Sequence, residues 1–361
     1  MSHDASKHRF PRASGSHDSV EFEIQRRIVG MRLDLYLAER FEGYSRTFFQ
    51  DLIRRGKVLV NRLPAKPSHP VCPGETITLF FPKGAGREPL PLGLDIIYED
   101  RSIIVLNKPA GIVVHPARGH MADSLLNALY HHYAAEMADD PAFVVLTIHR
   151  LDIDTSGAII YSIDPDVQYR IQQEFEHRGV TKTYLGIIHG SPKWEKTSVK
   201  AALGVDVTDR KKVAVDGWDA RPAHTDFEVL ARGADITLVR AYLHTGRSHQ
   251  IRVHLQHIGF PIVADEVYGG VKELPSGQFL MARPALHSEM IEFNHYGLGR
   301  EGGRRMRVRA GLAPDMQDLL EREIGRDSLE NLHLENRYEL LDSLGAPEAK
   351  PRSKRSIRRK R

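Results

Sequence analysis

The sequence predicts an α+β fold, in which a small α/β module precedes a main domain with a mixed, largely antiparallel sheet. Apolar residues recur with helical spacing in some segments and form short strand-like runs in others, without regular alternation between the two. Turn-forming residues separate neighbouring strand-like runs, as they do in hairpins. The chain of 361 residues is long enough for about two domains with tails.

Composition divides the chain further. We expect disorder at 1–25, the small module at 26–82, a linker containing Gly and Pro at 83–94, the main domain at 95–320, a charged, helix-prone extension at 321–349 and a basic tail at 350–361. The tail has eight Lys and Arg residues and no acidic residue, whereas the whole chain has a net charge of +4. A flexible arm attracted to phosphate groups and a merely solubilising tail both fit this composition.

Composition also excludes several classes of protein. A single cysteine, Cys72, rules out an intramolecular disulfide and a cysteine-based zinc cluster. No apolar run approaches the roughly 20 residues that a membrane-spanning helix needs. The polar segment 1–19 lacks the apolar stretch of a signal peptide. We therefore expect a cytoplasmic protein that does not associate with a membrane.

In the small module, Leu33, Leu37 and Phe41 recur at helical spacing, so a first helix is expected there. Ser45 is a suitable N-cap for a second helix, which Gly56 would end. The apolar side chains on one side of that helix would pack inward: Phe48, Phe49, Leu52 and Ile53. Two short strands are expected, at 58–60 and 76–81.

Polar side chains recur on another side of the second helix. Arg46, Gln50 and Arg54 are four residues apart. A helix that packs on one face and offers guanidinium groups on another can follow the phosphate backbone of a nucleic acid. An ordinary solvated face has the same pattern. We therefore treat these three residues as candidates for nucleic-acid binding.

The main domain is expected to contain an amphipathic helix around 125–133 and a longer helix that Asp164 caps and Pro165 opens. Gly179 would follow the end of the longer helix. The remaining expected elements are strands at 102–106, 158–163, 183–189 and 236–244, and a helix at 249–258.

The run His-Arg-Leu-Asp-Ile-Asp-Thr-Ser-Gly at 149–157 is the strongest candidate for a reactive site. Residues two apart in an extended loop point the same way, so Arg150 and Asp152 can face one ligand. A carboxylate acts as a nucleophile or base only while it is ionised, and a nearby arginine opposes the effect of burial on its charge. Taken alone, Asp152 could equally be a turn cap and Arg150 the partner of a surface ion pair.

This run resembles, residue for residue, the signature loop of the RluA-type pseudouridine synthases. Four further stretches resemble the same family, at 107–116, 182–185, 245–254 and 283–288, and the resemblance extends over about 26–320. It implies the pseudouridine synthase fold and the conversion of uridine to pseudouridine in structured RNA. Because that reaction has no redox step and no net hydrolysis, we expect neither a cofactor nor a metal ion.

The resemblance also implies a role for individual residues. Asp152 would be the catalytic residue and Arg252 its ion partner beside the substrate. Tyr184 would contact the target base, and Arg150 would enter the RNA stack from which that base has been flipped. Tyr184 could instead be an ordinary packing residue, and Asp154 is interpreted as a loop cap or a solvated residue. Attack on the anomeric carbon, addition to the uracil ring and abstraction of a sugar proton all need the carboxylate of Asp152.

The segment 245–254 contains further polar residues. The resemblance suggests that Arg247, His249 and His254 are architectural or face phosphate groups. A zinc site formed by His249, His254 and His257 is the competing interpretation. Their spacing does not fit it, because no Glu follows in a metalloprotease pattern and no cysteine joins them.

The small module resembles an RNA-binding module shared with a small-subunit ribosomal protein, which makes Arg46, Gln50 and Arg54 candidates for RNA binding. With the stretch 114–129, it is similar to family members that act on large-subunit (23S) ribosomal RNA. A transfer RNA target would leave the same motifs. A non-catalytic RNA-binding or ribosome-assembly factor is the alternative of a different class, but such a protein would be expected to lose Asp152 or Arg252. We expect a monomer whose partner is structured RNA.

Overall fold

The computed structural model describes the chain in nine ranges: 19–24, 30–41, 44, 46–80, 89–117, 120–140, 143–298, 302–329 and 335–341. The expected helix cap Ser45, part of the expected linker, the basic tail and the first 18 residues lie outside these ranges.

The small module consists of a four-stranded antiparallel sheet and two helices that share one core. Its strands are β1 (Ser19–Glu23), β2 (Val58–Val60), β3 (Leu63–Pro64) and β4 (Thr76–Phe80), arranged in the order β1-β4-β2-β3. Its helices are α1 (Leu33–Arg40) and α2 (Arg46–Arg54). Three of the apolar residues predicted to pack inward from α2 are buried, namely Phe49, Leu52 and Ile53.

The module begins earlier than the sequence predicts. The expectation of disorder at 1–25 is wrong for its last part, because β1 pairs with β4, with Phe22 opposite Ile77. Phe22 and Ile24 are buried in the module core. A five-residue edge strand depends on a partner far along the chain, and local composition does not reveal that partner.

Eleven described strands form the sheet of the main domain. They are β5 (Ile96–Glu99), β6 (Ile103–Lys108), β7 (Leu146–Thr147), β8 (Ser156–Ser162), β9 (Thr181–His189), β10 (Lys196–Lys200), β14 (His224–Arg232), β15 (Ile236–Leu243), β16 (Leu286–His295), β17 (Arg304–Arg309) and β18 (Arg337–Leu340). Their order is β10-β14-β15-β9-β16-β8-β6-β5, with β17 between β16 and β18 and with β7 paired to β8. Only β16 and β8 are parallel within this described sheet, so the prediction of a mixed, largely antiparallel sheet is confirmed.

Three short strands form a second sheet in the order β12-β11-β13: β11 (Leu203–Val205), β12 (Val213–Val215) and β13 (Trp218–Arg221). The described helices of the main domain are α3 (Leu125–His132), α4 (Ala134–Asp139), α5 (Pro165–Glu176), α6 (Gln250–His257) and α7 (Pro314–Glu323), with 3-10 turns at Glu266–Tyr268 and Arg326–Leu329. None of the helices in the described ranges is both long and apolar enough to cross a membrane.

The predicted start of the longer helix is confirmed. The side chain of Asp164 accepts hydrogen bonds from the backbone N–H groups of Asp166 and Val167, and Pro165 is the first residue of α5. The helix α6 begins one residue later than predicted, because His249 has a left-handed φ of 54° and serves as its N-cap residue.

The main domain extends beyond the predicted boundary at residue 320. The helix α7 continues to Glu323, and β18 then pairs with β17, with Tyr338 opposite Val308. The expectation of a helix-prone extension at 321–349 is therefore wrong for 337–340. The charged composition of this segment favours a helix, but the open edge of β17 offers backbone hydrogen bonds that only a strand can satisfy.

The central strand β8 is buried at every residue and emerges directly from the loop at 149–157. Ala158 and Ile160 pack into one core on one face, while Ile159 and Tyr161 pack into a second core on the other. A loop that ends in such a strand has a fixed end, because both faces of the strand are covered.

Candidate active site

A cleft of about 1010 Å³ lies beside the loop at 149–157. The predicted site residues of the main domain all line this cleft: Arg150, Asp152, Tyr184 and Arg252. A smaller cavity of about 350 Å³ on the other side of the loop is also lined by Asp152. Residues that are far apart in the sequence are thus gathered around one carboxylate.

Lys108, which is completely buried, fixes the backbone of the loop at 149–157. Its ammonium group donates hydrogen bonds to the carbonyl oxygens of Ile153 (2.8 Å), Thr155 (2.9 Å) and Pro109 (3.0 Å). Burial lowers the pKa of Lys108 to about 7. The sequence showed only that the stretch at 107–116 resembles the family, and it gave no sign that Lys108 fixes the backbone of the loop.

A second cation holds the other end of the loop. Arg283 donates to the carbonyl oxygen of Asp154 at 3.0 Å and is paired with both oxygens of Asp315 at 2.7 Å. Gly157 ends the loop with φ 109°, and a Cβ atom at this position would lie 2.3 Å from the carbonyl oxygen of Ser288. Only glycine therefore allows β8 and β16 to approach this closely.

The Asp152 side chain lies at the wall of the cleft and is 29% exposed. Its Oδ2 atom is 3.5 Å from Nη1 of Arg252 and 3.9 Å from Nε2 of His249. These distances leave the carboxylate attracted to the guanidinium without the short, bidentate hydrogen bonds that would occupy both oxygens.

The short hydrogen bonds of Arg252 go to a residue that the sequence reasoning missed. Nε and Nη2 of Arg252 donate to the two oxygens of Asp265 at 2.6 and 2.7 Å. Burial alone would lower the pKa of Arg252, but the hydrogen bonds to Asp265 raise it. The predicted pairing with Asp152 is therefore the longer of two contacts. The one sequence signal for Asp265 was an acidic residue directly after the apolar run at 262–264.

His249 faces Asp152 as a neutral ring, because burial lowers its pKa. Its Nδ1 atom shares a 2.7 Å hydrogen bond with the hydroxyl of Tyr268, and that hydroxyl accepts a hydrogen bond from the backbone N–H of Val213. The Tyr268 proton is thus available for Nδ1, which favours the tautomer with the proton on Nε2, toward Asp152.

Tyr184 is half-buried and packs against two core clusters. Burial raises its pKa to about 12, so its phenol is neutral around pH 7. Arg150 is exposed at the opening of the cleft. Both positions are compatible with the roles that the family resemblance implies, and those roles stay predictions.

In the small module, two of the three candidate RNA-binding residues have a partner inside the protein. Asp34 is completely buried and accepts hydrogen bonds from Arg46 (3.0 Å), Gln50 (2.6 Å) and Arg32 (3.0 Å). Arg46 and Gln50 therefore join α2 to α1, although the Arg46 side chain remains 48% exposed. Arg54 is exposed at the end of α2.

Two histidines of the zinc alternative, His249 and His254, have other partners. His254 is buried, with Nδ1 hydrogen-bonded to Thr225 and Nε2 to the carbonyl oxygen of Ala201, so both ring nitrogens are occupied. In the described part of the chain, the group that brings three metal-binding side chains together consists of His224, Asp226 and His244. Both of these histidines already hydrogen-bond to Asp226 through Nε2.

Comparisons with known proteins show which family this chain is similar to. The family model described as RNA pseudouridylate synthase matches residues 102–257, and that of the S4 domain matches 31–77. "Uncharacterized RNA pseudouridine synthase YlyB" of Bacillus subtilis is 35% identical over 80% of this chain and 93% of its own length. "Ribosomal large subunit pseudouridine synthase D" of Neisseria meningitidis serogroup B is 33% identical over 93% of this chain and 90% of its own.

A solved structure supports the fold. "Human RNA Pseudouridylate Synthase Domain Containing 1" superimposes with a TM-score of 0.51 at 23% identity, over 70% of this chain and 91% of that one. With the family match on the domain that carries Asp152, and relatives that align over most of their length, the chain belongs to the RNA pseudouridine synthases, and its N-terminal module is an S4 domain.

Proposed function

We propose that this enzyme converts specific uridines of large-subunit ribosomal RNA to pseudouridine, with Asp152 as the catalytic residue. The observation that carries the proposal is the state of the Asp152 carboxylate. It is held in a cleft beside a buried guanidinium, yet its oxygens are not closed off by short hydrogen bonds. Such a carboxylate remains available to a substrate.

The reaction is balanced without an added reagent. The bond between N1 of uracil and C1′ of the ribose breaks, the base turns, and a bond forms between C5 and C1′. The hydrogen on C5 is lost and N1 gains one, so the product is an isomer of the substrate. Asp152 can carry charge or a proton at either the sugar or the base, and the three routes named above remain open.

Arg252 and Asp265 together set the charge around Asp152. Since Asp265 neutralises Arg252, the guanidinium attracts Asp152 without adding a net positive charge to the cleft. The neutral His249 ring can donate from Nε2 toward the same carboxylate. Both features leave the Asp152 carboxylate near two donors without locking it in a strong ion pair.

The other site residues would handle the flipped nucleotide. Tyr184 offers a flat aromatic face with a neutral hydroxyl, which suits stacking on the target base. Arg150 has a long side chain at the exposed end of the cleft and would fill the space that the base leaves. The S4 domain would bind structured RNA nearby, with Arg46 and Arg54 as its candidate phosphate contacts.

The substrate class rests on the relatives. Several similar proteins have the name ribosomal large subunit pseudouridine synthase D, at 33% to 37% identity over most of this chain. The most direct test maps pseudouridine in ribosomal and transfer RNA from cells in which this gene is deleted. The same cells are then complemented with the wild type, Asp152→Asn or Asp154→Asn. We expect some large-subunit sites to vanish and to return with the wild type and Asp154→Asn, but not with Asp152→Asn.

The Asp154→Asn variant is a matched control, because it removes a carboxylate from the same loop while the backbone carbonyl of residue 154 still accepts from Arg283. Sites lost from transfer RNA instead would overturn the substrate proposal and leave the enzyme class intact. Full restoration by Asp152→Asn would overturn the catalytic assignment. No change at any site would favour the RNA-binding factor.

A further inference from the structure

Lys182 is a cation in the cleft that has no anionic partner among the described residues. It lies on β9, two residues before Tyr184, and lines the same cleft as Asp152. Among the residues that the structure describes, its ammonium group forms no hydrogen bond and no ion pair. Burial lowers the pKa of Lys182, and no carboxylate offsets this effect.

The surroundings of Lys182 are neutral. Its Nζ atom lies 5.4 Å from the centre of the Phe175 ring, and that ring stacks on His149 at 4.9 Å. Burial, together with the charge of Lys182, lowers the pKa of His149 to about 3, so the imidazole is uncharged near pH 7. The Phe175 ring offers only a weak attraction at this distance.

Gly246 leaves the ammonium group open toward the cleft. A Cβ atom at this position would lie 3.5 Å from Nζ of Lys182, so any longer side chain would compete for the space in front of it. Arg150 and Arg247 line the same cleft; Arg150 is exposed and Arg247 is half-buried. The cleft thus contains several positive groups, and Lys182 differs from Arg252 because no carboxylate within the described residues pairs with it.

Lys182 is half-buried, and partial removal of an ammonium group from water without a partner is unfavourable. An anion entering the cleft would supply the missing partner. RNA brings one phosphate per nucleotide, and lysine suits a phosphate oxygen as a compact point charge. Side chains two apart on a strand point the same way, about 7 Å apart. A nucleotide whose base rests on Tyr184 therefore has its backbone within reach of Lys182.

We propose that Lys182 binds a backbone phosphate of the RNA directly beside the target uridine. The inference rests on the proposed function and adds one contact to it. In this role Lys182 is a substrate-binding residue whose ammonium group is paired with an anion when RNA is bound.

The first test measures RNA affinity against salt concentration for Lys182→Gln and Lys182→Arg. Each protein also carries Asp152→Asn, so that the RNA is bound without being converted. Loss of one phosphate contact should reduce the slope of log affinity against log salt by about 0.7–0.9. We expect this reduction for Lys182→Gln, a slope close to that of the parent for Lys182→Arg, and roughly tenfold weaker binding of Lys182→Gln at low salt.

The matched control is Lys193→Gln, which removes an exposed lysine from the loop between β9 and β10. It should leave the slope unchanged. An equal slope for Lys182→Gln and its parent would overturn the inference. If the parent itself fails to bind a large-subunit RNA fragment but binds transfer RNA, the substrate proposal fails, and the slope comparison on transfer RNA still tests Lys182.

A second measurement separates binding from a structural role. Lys182→Met removes the buried charge and keeps the length of the side chain. It should melt at the same temperature as the parent or higher, while it binds RNA more weakly. A lower melting temperature with unchanged RNA affinity would show that Lys182 serves the fold.

The phosphate can be located with short RNAs in which one linkage beside the target uridine is an uncharged methylphosphonate. At the contacted linkage, this change should weaken binding to the parent and have little further effect on Lys182→Gln. If, at both neighbouring linkages, the methylphosphonate weakens binding as much in Lys182→Gln as in the parent, Lys182 contacts neither phosphate.

Discussion

The S4 domain and the cleft each contain an arginine–carboxylate cluster, and the two clusters differ in whether every carboxylate is satisfied. In the S4 domain, Asp34 accepts hydrogen bonds from three side chains at 2.6 to 3.0 Å. In the cleft, Asp265 is satisfied by Arg252 in the same way, but Asp152 lies 3.5 Å from that guanidinium and stays partly exposed. A carboxylate whose oxygens accept short hydrogen bonds from the protein supports the fold. A carboxylate beside a cation whose oxygens still have acceptor capacity can bind a substrate.

The clusters also differ in what surrounds their cations. The side chains of Arg32 and Arg46 are 45% and 48% exposed, so water can replace a lost carboxylate. The side chain of Arg252 is only 11% exposed, and water has little access to it. The same substitution should therefore have a larger effect in the cleft than in the S4 domain.

The largest expected effect is that of Asp265→Ala. It leaves Arg252 buried and paired only with the more distant Asp152, so the free energy of unfolding should fall by about 3–5 kcal/mol. Urea denaturation followed by tryptophan fluorescence measures this, since Trp194 and Trp218 both lie in the main domain. Pseudouridine formation should also be lost.

Asp152→Asn is the contrasting variant, because it should abolish activity and change stability by less than about 1 kcal/mol. If Asp265→Ala unfolds at the same urea concentration as the wild type, Asp265 does not hold Arg252 in the way the geometry indicates. The comparison of the two clusters would then lose its basis.

A smaller effect is expected for Asp34→Ala. It removes the common acceptor of α1 and α2, but the freed arginines can turn to water, so the S4 domain should lose about 1–3 kcal/mol. Faster amide hydrogen exchange in both helices, with unchanged exchange in β8, would measure this. Uniform acceleration across the main domain would contradict the local role assigned to Asp34.

The sequence predicted the parts of this molecule that depend on local signals. The cap at Asp164, the proline at the start of α5 and the apolar side of α2 follow from residues a few positions apart. The gathering of Arg150, Asp152, Tyr184 and Arg252 followed from the family resemblance.

What the sequence could not predict depends on distant partners. β1 and β18 are short strands whose identity is set by the edges of β4 and β17. Asp265 was missed because its significance lies in meeting Arg252 in a buried place. Lys108 was missed because its partners are backbone carbonyls, which have no sequence signature.

The next smaller effect is expected on the stability of the S4 domain at acidic pH. Burial alone would raise the pKa of Asp34, but its hydrogen bonds from Arg32, Gln50 and Arg46 lower it below the usual value. The stabilisation is complete above the unfolded pKa of about 4 and is lost as the pH falls further. The wild type should therefore exceed Asp34→Asn in free energy of unfolding by less and less as the pH falls from about 5 to about 2. Hydrogen exchange of α1 and α2 across that range measures this difference in free energy. A difference that does not change with pH would mean that Asp34 is not ionised in the native protein.

The smallest effect on the folded molecule is expected from deleting 350–361. The deletion removes eight basic residues outside the described ranges and leaves the residues of both clusters unchanged. The unfolding curves should therefore coincide with those of the wild type. If the tail attracts phosphate groups, the salt dependence of RNA binding should weaken. The modified uridines should stay the same, because phosphate contacts do not read sequence. Salt titrations of RNA binding and a pseudouridine map of the truncated enzyme test the two statements separately. An unchanged salt slope would make the tail irrelevant to RNA, and a changed set of sites would mean that the choice of uridine does not rest on the S4 domain and the cleft alone.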